Sequence, residues 1–343
     1  ESGGVGPDRA TQSLLWGENI GHPYFPLDTA RSCGFGGSSH RWTAEHVGSG
    51  IGVRLRSLDE IDFEKRDWVP FSGWPFPKSD LDPFYERAHA ICKIGPFTYD
   101  TRDWENPQKT PHLPFLNDRV QTTIFQFGSR DPFISEYREE IDQAGNITAY
   151  THANVTEAET PEAGKAVTRL RVASHRDQGF SVSARIFILA MGAIEIPRLL
   201  LLSNKTRPSG LGNPHDLVGR FFMEHPHIWS GEYVPSGPAL LDSTRLYRAH
   251  TVGDVPIMGK LTISREVLRR ERMLNYCVSM HPEISSSRRN VVTTLPVLSW
   301  PLLTAQPQQT SAGRLQPQEK RPQGVESLKV VLSSMSRGRV PEN

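Results

Sequence analysis

Several stretches of the chain place apolar side chains at the spacing of an amphipathic helix. In the clearest one, Ser79 or Asp80 offers an N-cap and the apolar positions are Leu81, Phe84, Tyr85, Ala88 and Ile91. This spacing predicts a helix from about residue 80 to residue 92. Further helices are predicted over residues 132–144, 194–203 and 264–274, with a short one at about 325–336.

Between residues 146 and 189 the apolar pattern changes to alternation, which is typical of half-buried strands. Three strands are predicted, over residues 147–155, 166–172 and 180–189, and turn residues at 162–165 and 176–179 separate them. Adjacent strands with short connections favour a β-meander. Two more strands are predicted at 229–233 and 257–263.

The remaining stretches have little periodic pattern. Residues 1–60 are rich in glycine and serine, which indicates backbone that turns often. Residues 306–324 contain few large apolar side chains, so a solvated or disordered loop is expected there. The predicted helices and strands indicate an α+β or α/β protein, and the length of the chain suggests about two domains.

Composition narrows the possible partners. The chain has 343 residues, with 39 Lys and Arg against 38 Asp and Glu, so its formal charge is +1. A balance of this kind gives no overall field to attract nucleic acid or anionic lipid, and a small molecule is the expected partner. The longest apolar run, residues 186–202, is interrupted by Glu195, Pro197 and Arg198, so no membrane span is expected.

The three cysteines, Cys33, Cys92 and Cys277, are widely separated and odd in number. This pattern argues against a disulfide framework and a cysteine-based zinc site, and buried thiols are expected. No metal site is predicted. The compartment is left open, with the cytoplasm preferred.

Two glycine-containing segments are candidates for ligand binding. Residues 186–198 combine an apolar strand, Gly192 and a helix start, which can present free backbone N–H groups to a phosphate or a flavin edge. The segment Cys33-Gly-Phe-Gly-Gly-Ser-Ser-His-Arg-Trp lets the backbone approach a ligand closely and adds two hydroxyl groups. An ordinary strand-turn-helix joint and a plain flexible loop explain the same residues, so both interpretations stay open at this point.

Six segments in fixed order resemble the glucose-methanol-choline (GMC) oxidoreductases. They begin at Glu1, Gly34, Asp62, Ala153, Ile188 and Asp216, and the resemblance extends to about residue 282. The chain is most similar to the branch with bacterial sugar and aminoglycoside dehydrogenases and pyranose-oxidase-like enzymes. The resemblance implies a partial FAD-binding Rossmann-like domain with a β-meander, plus part of a β-sheet substrate domain.

The resemblance also implies a domain division. Residues 1–60 and 145–226 would be portions of the FAD-binding domain, and residues 61–144 a helical and loop insertion that forms a cap. Residues 227–282 would be part of the substrate domain, followed by a poorly ordered tail over 283–343.

Cofactor contacts follow from the resemblance position by position. Glu1 would hold the adenosine ribose hydroxyls, and Val155 would contact the adenine. The flavin and pyrophosphate would be lined by Gly36, Gly37, Ser38 and Ser39. Gly192 and Ala193 would close over the dinucleotide, and Trp42 is a further cofactor-binding candidate. Trp42, Trp68 and Trp74 are candidates for the pocket wall, although core packing explains them equally well.

Non-covalent FAD is expected. Some family members attach the flavin through a histidine after the glycines, and Arg41 stands at that position with His40 one residue earlier. His225 is a weak candidate for an acid or base, with a structural role favoured. This sequence contains neither the family's catalytic histidine with its histidine or asparagine partner nor the family's opening glycine-rich turn. No catalytic residue is therefore assigned, and the polypeptide is expected to be nearly inactive.

The resemblance therefore implies an FAD-dependent dehydrogenase or oxidase acting on a CH–OH group of a sugar, polyol or other alcohol. It does not identify the electron acceptor. One alternative is a non-catalytic remnant or gene-model fragment that acts at most as a binding or interaction module. A third hypothesis is a nucleotide-binding enzyme that uses NAD in place of flavin.

Overall fold

A computed structural model of the chain describes its backbone over twelve ranges: 1–20, 25–41, 43–46, 50–128, 132–133, 135–161, 166–174, 178–224, 227–233, 242–283, 327–334 and 336–337. Side chains are described throughout these ranges except at residues 40–51, 223–233, 281–283 and 327–337.

Seven α-helices lie in the described part of the chain. They are α1 (Arg9–Gln12), α2 (Leu27–Ala30), α3 (Glu60–Phe63), α4 (Asp82–Ile91), α5 (Glu136–Gln143), α6 (Gly192–Leu202) and α7 (Arg265–Arg270). Short 3₁₀ turns occur at Ser13–Leu15, Gly37–Arg41, Lys78–Asp80, Thr101–Asp103 and Arg245–Tyr247.

Thirteen β-strands lie in the same ranges. They are β1 (Thr43–His46), β2 (Gly50–Leu55), β3 (Val120–Phe127), β4 (Asn154–Glu159), β5 (Arg169–Ala173), β6 (Gly179–Val182), β7 (Met223–Glu224), β8 (His227–Tyr233), β9 (His250–Val252), β10 (Val255–Ile263), β11 (Tyr276–Glu283), β12 (Ser327–Ser334) and β13 (Ser336–Arg337).

The chain divides into two compact units, each built from separate segments. Unit 1 comprises Glu1–Thr43, Asp131–Glu224 and Arg337–Asn343, and unit 2 comprises Ala44–Arg130 and His225–Ser336. The segment 1–60 that the sequence assigns to one domain is therefore divided at Thr43, and residues 131–144 group with unit 1 rather than with residues 61–130.

Unit 1 contains a three-stranded antiparallel sheet in the order β4-β5-β6. Val155 pairs with Val172, and Val172 pairs in turn with Phe180. Helix α6 packs on β4, where the Ser203 hydroxyl accepts a 2.9 Å hydrogen bond from the backbone N–H of Ala158 and donates to Leu199 O at 2.7 Å. The predicted β-meander is therefore confirmed.

Unit 2 is organised around a larger antiparallel sheet in the order β1-β2-β3-β10-β11-β12-β8, with β9 also paired to β10. Strands β3 and β10 pair in continuous register from Gln126↔Ile257 to Val120↔Ile263. One face of this sheet carries the apolar core, which includes Trp104, Ile124, Leu246, Tyr247, Ile257 and Met280.

Several predicted elements are confirmed with shifted ends. Helices α4, α5, α6 and α7 occur where helical spacing predicts them, and β8 and β10 cover the two later predicted strands. The helix predicted from about residue 80 starts at Asp82 and has Leu81 as its N-cap, because residues 78–80 form a 3₁₀ turn instead.

Three predicted elements are wrong in type or place. Residues 186–190 form no strand, and Ile186 and Ile188 are 77% and 84% exposed. The first meander strand begins at Asn154 and not at residue 147. The short helix predicted at about 325–336 is strand β12, which pairs along Tyr276–Glu283 and contains adjacent β-branched Val330 and Val331.

The fold class is α+β: every strand pair with an assigned register in the described ranges is antiparallel. Within those same ranges, no helix has the length and apolar content needed to cross a bilayer. The solvated loop predicted at 306–324 lies outside the described residues.

Candidate functional site

The first residues of the chain run alongside residues 150–153. The α-amino group of Glu1 donates to Tyr150 O at 2.9 Å, and Glu1 O accepts from the N–H of Ala153 at 3.0 Å. Farther along, Gly3 O accepts from the N–H of His152 at 3.3 Å. Glu1 is thereby fixed just before strand β4, which contains Val155.

The same segment contacts the glycine-rich loop on its other side. The N–H of Phe35 donates to Gly4 O at 2.9 Å, and a Glu1 carboxylate oxygen accepts a long 3.4 Å bond from the N–H of Gly36. Gly3 has no space for a side chain, since a Cβ there would lie 2.5 Å from Cys33 O. The structure therefore brings Glu1 and Gly36, which are far apart in sequence, into direct contact.

A pocket of about 410 Å³ opens at this contact. It is lined by Glu1, Phe35 and Gly36 together with Ile141 and residues 147–150. All of these residues belong to unit 1. A carboxylate beside apolar side chains can orient a polar ligand that also has a flat apolar part.

The loop from Gly34 to Ser39 is internally hydrogen-bonded. Gly36 and Gly37 have φ of 85° and 56°, a region that glycine adopts without steric cost. The Ser39 hydroxyl donates to Gly36 O at 2.6 Å, and the Ser38 hydroxyl accepts from the N–H of Ser32 at 3.0 Å. Ser38 therefore still has a hydroxyl proton to donate, and Ser39 can still accept.

Two polar side chains that the sequence reading missed hold this loop in place. The Gln12 side-chain amide donates to Asp28 O and to Arg31 O, the latter at 2.8 Å, and its carbonyl accepts from the N–H of Cys33 at 2.9 Å. Arg31 donates to Leu15 O at 2.9 Å and forms an ion pair with Glu195. No local motif marks either residue, because their partners are backbone carbonyls or distant in sequence.

Glu195 connects the loop to helix α6. It lies in the first turn of that helix and also accepts from Arg198 at 3.1 Å. Gly192 is the first residue of α6, with φ of 79°, and both Gly192 and Ala193 are exposed. The N-cap Met191 makes no capping bond through its side chain, so the helix start is open to solvent or to a ligand.

The described residues that line the pocket do not include Ser38, Val155 or Gly192. These three belong to unit 1 together with Glu1 and Gly36, and each is on a segment bonded directly or through one residue to the pocket segments. Of the predicted site residues in the described ranges, only Glu1 and Gly36 both line the pocket and contact each other.

Cys33 lies at the back of the loop with its thiol protonated near neutral pH. Burial raises the pKa of this thiol most strongly, a hydrogen bond with Ser2 lowers it, and the negative charges of Glu1 and Glu195 raise it further. All three cysteines are free, with Cys92 buried and the other two half-buried. Cys33 is therefore a structural thiol rather than a nucleophile.

The remaining candidates are placed elsewhere or lie outside the described residues. Trp42 and His225 fall outside those residues, as do the side chains of His40 and Arg41. Trp68 and Trp74 belong to unit 2, where the Trp74 ring lies 5.6 Å from the rings of Phe63 and Phe76. The Trp68 indole N–H is buried with no hydrogen-bond partner among the described residues.

Comparison with known proteins gives short partial matches. No family model matches the chain. A segment of 52 residues is 48% identical to the fructose dehydrogenase large subunit of Gluconobacter japonicus, covering 15% of this chain and 10% of that protein. A segment of 76 residues is 36% identical to the 2-methyl-1,2-propanediol dehydrogenase of Mycolicibacterium austroafricanum, covering 22% of this chain and 14% of that protein.

The matched segments therefore span about a tenth and a seventh of the lengths of these two relatives. Both relatives are dehydrogenases by name. Over these segments the chain is similar to dehydrogenases, which indicates an oxidoreductase.

Proposed function

We propose that this chain is part of an FAD-dependent oxidoreductase that acts on CH–OH groups of a sugar, polyol or other alcohol by hydride transfer to the flavin. The observation that carries the proposal is the contact of Glu1 with Gly36 at the mouth of one pocket. The resemblance to GMC oxidoreductases assigns these two residues, 35 positions apart, to the same cofactor.

The pocket suits one part of such a cofactor. One Glu1 carboxylate oxygen makes only the long bond to Gly36, and the other has no partner among the described residues, so the group can accept from the two hydroxyls of a ribose. The volume of about 410 Å³ lies in the lower part of the 300–1,000 Å³ range of small-molecule pockets. We assign it to the nucleoside part of the cofactor.

Other residues of the proposed FAD site surround this pocket. The N–H groups of Gly36 and Gly37 and the hydroxyls of Ser38 and Ser39 would hold the pyrophosphate and the flavin edge. Val155 would contact the adenine from strand β4. Gly192 and Ala193, at the open start of α6, would close over the dinucleotide, and attachment would be non-covalent.

Bound FAD supplies a hydride acceptor. The described residues would hold and orient this cofactor, and none of them is assigned as the base that takes the hydroxyl proton. A Rossmann-like arrangement around the flavin is part of the proposal.

The names of the two relatives support the substrate class. One is a fructose dehydrogenase subunit and the other a dehydrogenase of a propanediol, so the names include one sugar and one diol. A polyol or sugar is therefore the first substrate class to assay.

The proposal is tested by titrating the purified chain with FAD and following flavin fluorescence. Replacing Glu1 by Gln removes the negative charge and should weaken FAD binding about 10- to 100-fold, because a charge-assisted hydrogen bond contributes about 1.5–3 kcal/mol. Glu18→Gln, a change at an exposed glutamate, should leave the affinity unchanged.

If the Glu1→Gln variant and the unchanged chain bind FAD with equal affinity, the pocket at Glu1 is not part of the FAD site. Saturable binding of NADH with no binding of FAD would favour the nicotinamide alternative. Absence of binding for both cofactors would leave the flavin proposal without support and favour a non-catalytic role.

A further inference from the structure

The large sheet of unit 2 has two chemically different faces. On β10, Ile257, Gly259 and Leu261 point to the apolar core side, so Lys260 and Thr262 point to the opposite side. Register places Thr123 of β3 directly opposite Lys260, and Cys277 of β11 directly opposite Thr262. Arg54 reaches the same side from β2, since it pairs with Phe127 and not with Gln126.

Lys260 is buried, and no counterion for it occurs among the described side chains. Only 4% of the residue is exposed, and no carboxylate of the described residues forms an ion pair with it. Its ammonium group lies 4.5 Å from the centroid of the Phe125 ring. The Arg54 guanidinium lies 5.9 Å from the same ring centroid, so two cations share one aromatic side chain.

An unused hydroxyl group stands next to this lysine. Thr123 is also 4% exposed, and its Oγ1 is buried with no hydrogen-bond partner in the described part of the chain. A buried donor without an acceptor costs about 1–3 kcal/mol, so such groups are normally satisfied by protein, water or ligand. Lys260 and Thr123 thus place an ammonium donor and an unpaired hydroxyl group, which can also donate, side by side.

Electrostatics favours a negatively charged partner for these donors. Burial lowers the pKa of Lys260, the thiol of Cys277 acts in the opposite direction, and the nearby charge of Arg54 lowers the pKa further. A cation–π contact contributes only about 0.5–2 kcal/mol and does not replace the lost hydration of an ammonium group. An anion that accepts from Lys260 would favour its charged form.

We propose that Lys260, Thr123 and Arg54 form a binding site for an oxyanion, a carboxylate or phosphate group carried by a small molecule. The Lys260 ammonium and the Thr123 hydroxyl donate to its oxygens, Arg54 adds a second positive charge, and the Phe125 ring packs against an adjoining apolar part. The inference does not depend on flavin binding in unit 1.

Inorganic phosphate and acetate are the probes, each compared with sodium chloride at equal ionic strength. Binding of radiolabelled phosphate to the full chain is measured by equilibrium dialysis, and competition by acetate shows whether carboxylates occupy the same site. Saturable binding with one site per chain is expected. Strong phosphate binding with no acetate competition assigns the site to phosphate groups, and the reverse preference assigns it to carboxylates.

Three variants locate the site. Lys260→Met should weaken binding at least 10-fold, and Thr123→Val, which keeps the shape of the side chain, should weaken it about 3- to 10-fold, equivalent to about 0.7–1.4 kcal/mol. Lys109→Met, at an exposed lysine, should bind phosphate as the unchanged chain does.

The inference is overturned if the unchanged chain shows no saturable binding of either probe, or if all three variants bind equally. Circular dichroism establishes that each variant is folded. If Lys260→Met does not fold, Thr123→Val and Lys260→Arg test the site instead. Thr123→Val should still weaken phosphate binding, and Lys260→Arg, which retains the positive charge, should keep the affinity within about 10-fold.

Discussion

At the scale of single residues, buried polar side chains fix the loops around each unit. His89 shows this clearly. It is 3% exposed, its Nδ1 donates to Gly95 O at 2.7 Å, and its Nε2 accepts from the Tyr99 hydroxyl at 2.9 Å. Because the Gly95 carbonyl can only accept, the bond to it requires a proton on Nδ1, and burial favours the neutral ring, in which Nε2 accepts from Tyr99.

This arrangement makes the stability of the protein depend on pH. Burial lowers the pKa of His89 below its usual value, and the bond to Gly95 opposes this shift. The unfolded chain then binds more protons than the folded chain below pH about 6.5, so stability falls as the pH decreases. We expect a loss of at most about 1.4 kcal/mol per pH unit from this residue between pH 7 and pH 5.

Urea unfolding at several pH values measures this dependence. His89→Asn should lower stability at pH 7 and flatten the curve below pH about 6.5, because asparagine carries no titrating proton in this range. His215→Asn, at an exposed histidine, is the matched control and should follow the unchanged chain. A curve of the same steepness in the His89 variant would contradict the assignment.

At the scale of elements, packing on the large sheet depends on a missing side chain. A Cβ at Gly259 of β10 would lie 2.9 Å from Leu246 O, so the turn that contains Leu246 and Tyr247 rests directly on the strand backbone. The Tyr247 hydroxyl also interacts with the Thr122 hydroxyl at 2.6 Å and accepts from the N–H of Leu113 at 3.0 Å. The missing side chain at Gly259 therefore lets this turn approach β10, and Tyr247 then bonds to β3 and to the segment with Leu113.

Gly259→Ala should displace this turn. Overpacking of a well-filled core costs about 1–3 kcal/mol, and we expect a loss of that size in urea unfolding. Gly145→Ala is the control, because a Cβ at Gly145 would meet nothing within 4 Å. Equal stabilities of the two variants would show that the turn moves freely on the sheet.

The exposed segment before α6 gives a second prediction at this scale. Ile186 and Ile188 are largely solvent-accessible, and the surrounding residues 183–190 form no strand. An exposed apolar segment of high β-propensity favours self-association. Replacing both isoleucines by Ser should reduce light scattering on concentration while changing unfolding stability by less than about 0.5 kcal/mol per site.

A larger loss of stability, above about 2 kcal/mol for the double variant, would indicate that these side chains are buried. Leu199→Ser provides the opposite reference, since Leu199 is only 4% exposed in the same region and should be strongly destabilised on replacement.

The sequence predicts helices better than strand positions in this chain. Helix α4 and helix α6 carry their own apolar spacing, so their existence follows from nearby residues, although neither has a side-chain N-cap. The segment 147–153 alternates like a strand but bonds to Glu1 and Gly3 instead of entering the meander. Strand β12 depends on pairing with β11, about 50 residues away, which no local pattern reveals.

The candidate site is predicted only in part for the same reason. Glycine spacing marks the loop near Gly36, and family resemblance marks Glu1, but the bond between them depends on the whole path of the chain. Gln12 and Arg31 carry no motif. Lys260 offers a weak signal, a single charge within the apolar run Ile257-Met-Gly-Lys-Leu-Thr-Ile, which the alternation of a strand readily accommodates.

At the scale of the whole molecule, neither unit is continuous in sequence. The strand pair β3 and β10 joins residues near 124 to residues near 257, and the core of unit 2 draws on both of its segments. Residues 44–130 alone would expose one edge of β3 and leave Ile124 without Leu246, Tyr247, Ile257 and Met280.

The fragment 44–130 should therefore show no cooperative unfolding by circular dichroism when it is purified alone. Addition of the fragment 225–336 should restore a cooperative transition, because it supplies the missing strands and core residues. Cooperative melting of the first fragment by itself would mean that unit 2 is two smaller folding units.

The path of the polypeptide between the units has a consequence for proteolysis. The chain passes from one unit to the other four times, after Thr43, Arg130, Glu224 and Ser336. A single peptide bond cut after Thr43, Arg130 or Glu224 leaves three covalent connections between the units intact. Molecules nicked at one of these three places should elute from a sizing column like uncut ones and release two pieces only once denaturant is added.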